Sequence, residues 1–300
     1  MWFKNLLIYR LNNEFKSTLE DTEEKLKSLL LQPCGGFDMQ TRGWMSPTGD
    51  DRLIFSVNRQ WLIQFGVNQK ILPMTVVRQV AQDRAAELEL KQQHAVGRKQ
   101  MRELRERVLE ELMPKALSCR KALSAWVDPI NQWLVIDTAA EKKADELVES
   151  LISAQVEWGI KRLETKKSPS AQMSAWLNLG EVPAPFSIDQ ELELKASDEN
   201  HATVRYLNHP LETQEIRRHL SQGKSVTRLG LTWKNRISFV LTDLFQIKKL
   251  NFLDNLKEEI PGDTEDEEEA LATQLTLMTG ELNQMIQDLT IAMGEEQTAS

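Results

Sequence analysis

Cysteine is nearly absent from this chain. Cys34 and Cys119 are the only two in 300 residues, and they form no CxxC pair. That excludes a disulfide framework and a thiolate zinc site, and it fits a reducing cytosol. No apolar run approaches the roughly 20 residues a membrane span needs. The opening MWFKNLLIYRL is interrupted by Lys4 and Arg10 and is too short for the apolar part of a secretory signal. The expectation is a cytoplasmic protein with no membrane partner. Histidine is equally sparse: His94, His201, His209 and His219 make no HxxxH or HExxH pair. There is no GxSxG, GxGxxG or Walker lysine, and Gly35-Gly36 lacks the Lys and Ser/Thr of a phosphate loop. Nothing points to a catalytic residue, a metal ligand or a cofactor, and a binding protein that is not an enzyme is expected. Surplus positive charge is also missing. A net charge of -8 rules out a uniformly basic nucleic-acid coat. It leaves a local basic patch free to act, because charges are screened within about 8 Å at physiological salt.

What is present reads as an α+β chain of antiparallel sheets with packed helices. Hairpins and helices alternate without the βαβ spacing of a parallel sheet. Three parts are expected: 1–72, a small α+β unit; 73–180, a projecting helical and hairpin part; and 181–300, a basic meander followed by a helix. Trp2 to Leu11 reads as a buried strand, Phe15 to Leu31 as an amphipathic helix, and 33–50 as a loop rich in Gly and Pro. Arg52 to Val57 and Trp61 to Gly66 read as a hairpin. Pro73 to Met113 is helical with a break at Gly97, and its Arg98, Arg102 and Arg105 stripe lies beside Glu103, Glu106 and Glu110. Lys115, Arg120 and Lys121 are expected on a short helix, ahead of a hairpin around residues 129–132.

The most distinctive stretch is Gly223 to Phe252. It holds six cations, Lys224, Arg228, Lys234, Arg236, Lys248 and Lys249, against one acid, Asp243. Leu229, Leu231 and Trp233 share one parity, and Ile237, Phe239 and Leu241 share another across a turn at Lys234-Asn235. One side is then core and the other a cationic platform suited to phosphate. The bland alternative is an ordinary solvated sheet face. Upstream, Asp189, Glu191, Glu193 and Lys195 match the acid-x-Lys pattern of metal-dependent nucleases, although Ile188, Leu192 and Leu194 leave these acids facing solvent. Downstream, the acidic block Asp263 to Glu269 opens a helix whose Leu271, Leu275, Met278, Leu282, Met285 and Leu289 form a coiled-coil-like seam. That seam suits either a partner helix or the chain's own core. A protein-interaction module is therefore a second reading, and a nuclease a third.

The ordered set WFKNLLIYRL, PCGGFDM with a following GW, KILP, WVDPINQWLVIDTAAEKKADE, GKSVTRLGLTWKNRISFV and LMTGEL resembles the recombination-associated RdgC family from Trp2 to about Ile291. The resemblance implies a ring-shaped homodimer with central, tip and base parts, binding double-stranded DNA without sequence preference and associated with the nucleoid. It also implies restraint of RecA-dependent recombination. An acidic total is compatible with that picture, since only an inner wall needs positive charge. By resemblance Lys224 and Arg228 carry over best as DNA contacts, with Lys248 and Lys249 matching a basic pair. Leu117 stands where the family can carry an aromatic residue at a subunit contact. Asn208 stands in a turn that can be lysine-rich.

Overall fold

The computed structural model describes residues 2–11, 17–196, 202–211, 214–257 and 266–297. Phe15, His201 and the first three residues of the acidic block, 263–265, lie outside these. Along the chain run β1 (Leu7–Arg10), α1 (Leu19–Lys27), β2 (Gln40–Met45), β3 (Ile54–Val57), β4 (Gln60–Lys70), α2 (Met74–Gln92) and α3 (Arg98–Leu112). Then come β5 (Ser118–Asp128), β6 (Trp133–Ile136), α4 (Glu141–Ser153), β7 (Lys161–Arg162), α5 (Pro169–Leu179) and β8 (Phe186–Ala196). The chain continues through β9 (Thr203–Leu207), α6 (Gln214–Ser221), β10 (Lys224–Trp233), β11 (Ile237–Thr242), β12 (Ile247–Phe252), α7 (Asp254–Lys257) and α8 (Glu267–Ala292).

The strands form two antiparallel sheets. The first has seven strands in the order β2-β4-β5-β6-β1-β7, with β3 also paired to β4; the second has five, β12-β11-β10-β8-β9. Because β4 and β5 pair over ten residues, from Trp61↔Val127 to Lys70↔Ser118, the segments before and after residue 72 share one sheet. Around β1, β6 and the adjoining halves of β4 and β5, the seven-stranded sheet is buried on both faces. Leu7 and Tyr9 meet α1 and α4 through Leu26, Ala144, Leu147 and Leu151, whereas Leu6 and Ile8 point into a second core shared with α8 and the other sheet. This two-sided burial explains why the β1 sequence is a continuous apolar run without alternation.

The five-stranded sheet buries one face only. Leu192, Leu194, Leu229, Leu231, Phe239 and Leu241 pack with α5, α6 and α8. The seam of α8 is part of that core, with Leu275, Met278, Leu282, Met285 and Leu289 all buried. The feature that best supported a helix-docking module is therefore used inside the chain.

Three local expectations change. Residues 33–50 are not all loop, since β2 pairs with β4 from Gln40↔Gln69 to Met45↔Gln64. Gly43 is what permits it: a Cβ there would stand 2.5 Å from the Leu31 amide nitrogen, where α1 ends against the strand. Arg120 and Lys121 lie on β5 and not on a helix, and only Lys115 sits in a single 3-10 turn, Met113–Lys115. Helix propensity in KALSCRKAL yields to the ladder offered by β4. The long polar helix is a hairpin, α2 folding back on α3 around a small core of Val77, Ala81, Ala85, Leu104 and Val108. Lys70, 6 % exposed, ties it to the sheet by donating to the carbonyls of Met113 at 2.7 Å and Gly36 at 3.1 Å.

Candidate nucleic-acid interface

The basic meander is built as its alternation predicts, with one correction of parity. Its first turn spans Lys234 to Arg236, with Lys234 and Asn235 both in the left-handed region (φ 48° and 54°) and the Arg236 amide donating to the Trp233 carbonyl at 2.8 Å. A β-bulge at Thr227 then breaks the alternation of β10. Val226 pairs with Leu194 and Arg228 with Glu193, so Val226 is buried while Arg228, two residues later, faces outward. Lys224 shares the Val226 side of the bulge, and its ammonium donates to Nδ1 of His219 on α6 at 3.2 Å. The two cations given most weight by resemblance therefore lie on opposite sides of the sheet.

Lys234 and Arg236 occupy a third place. The β10-β11 turn is clasped to α8 by Glu281, Gln284 and Asp288. Arg236 donates to Glu281 at 2.9 Å, Lys234 to Gln284 at 3.2 Å, and the indole N–H of Trp233 to Asp288 at 2.8 Å. The Lys234 ammonium also lies 4.4 Å from the Trp233 ring centre. These contacts hold the sheet to its helix.

On the outer face proper stand Arg228, Lys248 opposite Val240, and Lys249, which takes a left-handed backbone (φ 53°) at a second bulge in β12. Arg205 on β9, in register with Glu193, joins them. It was absent from the sequence-derived set, although its place in the alternation of residues 203–207 was readable. The same face carries the acids of β8. Asp189 accepts from the Thr232 hydroxyl at 2.8 Å, and Glu191 accepts from Lys249 at 2.7 Å. Glu193 accepts from Arg205 at 2.5 Å and from Thr227 at 2.9 Å. Burial alone would raise the Glu193 carboxyl, but the Thr227 hydroxyl and the Arg205 and Arg228 guanidiniums together hold it below the ordinary carboxylate range. Gly230 makes room for this row. A Cβ there would stand 3.2 Å from the Cβ atoms of both Asp189 and Glu191.

The remaining cations sit far along the other sheet. Arg120 donates to the Asn68 side chain at 3.3 Å, and Lys115 lies 3.8 Å from Glu111. Lys121 is exposed opposite Val67. Leu117 is 79 % exposed beside them. Its carbonyl accepts from Ile71, which with Phe37 and Met39 adds further exposed apolar surface at that end of the sheet. Asn208 adopts a left-handed turn conformation (φ 54°). Among the described residues no three acidic, histidine or cysteine side chains are arranged to hold a metal ion, and no helix is long and apolar enough to cross a membrane.

The family model described as "Putative exonuclease, RdgC" matches residues 1–296. The chain is 44% identical over 299 residues to the recombination-associated protein RdgC of Cupriavidus pinatubonensis, covering 100% of both chains. It is 42% identical over 297 residues to that of Herminiimonas arsenicoxydans, and 42% identical over 296 residues to that of Bordetella pertussis, each covering 99% of both chains. An α+β chain of two antiparallel sheets, similar to these relatives along its whole length, belongs to the RdgC family.

Proposed function

We propose that this protein binds double-stranded DNA without sequence preference, as a ring-shaped homodimer of the nucleoid that restrains RecA-dependent recombination. The observation that carries the reading is the outer face of the five-stranded sheet, where Arg228, Lys248, Lys249 and Arg205 come together from three strands of a chain with net charge -8. Cations spread across a sheet, here on β9, β10 and β12, match a phosphate backbone, which positions a protein without reading sequence. Lys224, Lys115, Arg120 and Lys121 contribute from the flanks, whereas Lys234 and Arg236 serve the clasp to α8. The exposed apolar end around Leu117, Ile71, Met39 and Phe37 is the surface a second copy would cover. The family description includes an exonuclease, but Asp189, Glu191 and Glu193 already accept hydrogen bonds from Thr232, Lys249, Thr227 and Arg205. We therefore place these acids in the electrostatics of the face and not in a metal centre.

Salt-titrated binding to duplex, with mass in solution recorded alongside, tests the proposal. Affinity should fall steeply with salt, equally for unrelated sequences, and closed circular duplex should be retained better than linear. Arg228→Ala with Lys248→Ala should flatten the slope of log affinity against log salt by about 0.9 per lost contact. An unchanged slope removes this face from the interface.

A further inference from the structure

We infer that Glu191 and Glu193 on β8 are built-in competitors for DNA phosphate, holding Lys249 and Arg205 in intramolecular pairs that a duplex must displace. This rests on the proposed binding of duplex to the outer face. The Lys249 pair is not a contact between neighbours. Lys249 is on β12 and Glu191 on β8, with β11 and β10 between them, yet Nζ lies 2.7 and 2.8 Å from the two carboxylate oxygens. Two departures from regular sheet serve this reach. Lys249 adopts a left-handed backbone that a non-glycine residue seldom takes, and Gly230 clears the strand beneath the acids. Arg205 is 65 % exposed at its side chain and is nevertheless drawn to Glu193, which Thr227 and Arg228 also hold in place.

A carboxylate and a phosphate oxygen make the same charge-assisted bonds to Lys and Arg, so the duplex exchanges one acceptor for the other. The counterion released from the DNA where such a cation meets phosphate is offset by a solution cation drawn to the freed glutamate, which is left facing the phosphates. Affinity and salt slope are both then smaller than the number of cations on the face implies. The outcome is a grip weak enough to release.

The test is duplex binding by the full chain carrying Glu191→Gln, Glu193→Gln or both, alone and with Lys249→Ala. Each isosteric change should tighten binding at physiological salt roughly threefold, the scale of a single surface ion pair. Each should also steepen the salt slope by about 0.9 per freed cation. Lys249→Ala should abolish the gain of Glu191→Gln. Wild-type affinity and slope in both glutamine variants, with unchanged melting temperature, would overturn the inference. Arg228→Ala separates the two levels. If it weakens binding while the glutamine variants do nothing, the competitor idea alone fails. If it too changes nothing, duplex binding at this face fails first.

Discussion

The two sheets of this protein use similar strands to opposite ends. Around β1, β6 and the adjoining halves of β4 and β5, the seven-stranded sheet is covered on both faces, by α1 and α4 on one side and by α8 with the second sheet on the other. The five-stranded sheet spends one face on the shared core and leaves the other to charge. Where a strand is buried twice, as in the second half of β5, it has nothing left with which to meet a ligand, so substitutions there should be felt as stability. A strand buried once can carry ionic work whose removal barely disturbs folding.

The largest expected effect falls in the doubly covered region. Trp126 is fully buried and its indole N–H donates to Gln60 at 2.6 Å. Trp126→Ala should cost about 3–5 kcal/mol, read as a lower urea midpoint, and a loss under 1 kcal/mol would break the contrast. Arg236→Ala should be intermediate. It leaves the Glu281 carboxylate, 18 % exposed, without its forked partner, at a cost of about 1–2 kcal/mol. Chemical denaturation should show this loss while the salt slope for DNA stays put. A flattened slope with unchanged stability would move Arg236 from clasp to contact. The smallest effect concerns pH. Because Glu193 titrates below its ordinary value of 4.5 in the folded chain, its interactions stabilise fully above that value and are lost as pH falls through the lowered one. The stability difference between wild type and Glu193→Gln should therefore shrink on acidification below about pH 4.5. A difference that grows instead would mean the carboxyl is raised.

Much of this contrast was readable beforehand, for reasons that also explain the misses. The alternation of Leu229, Leu231 and Trp233 against Arg228 and Thr232 is a direct print of one-sided burial, and the hairpin at Lys234-Asn235 followed from it. The spacing of the α8 seam gave its buried stripe, but periodicity reports that a face is covered and not by what. Bulges are where alternation fails as a guide. Nothing in KSVTR announces that Thr227 is an extra residue, so Lys224 and Arg228 looked like companions until their ladder partners were known. β2 was missed because QTRGWM owes its extended form to β4 and not to its own propensities. The pairing of basic platform with acidic neighbour was also hidden, since β8 and β12 are far apart in sequence and meet only across two intervening strands.

The opening segment also makes an edge for the second sheet. Leu6 exchanges backbone hydrogen bonds with Ile247 in both directions, and the Lys4 carbonyl accepts from Leu250. During synthesis this stretch must await a mate about 240 residues later, a delay of about 10–50 s at ordinary elongation rates. Half of its hydrogen-bonding edge can be sealed once β6 is made, whereas the other stays open until β12 follows. The nascent chain therefore carries an unsealed seam throughout that interval.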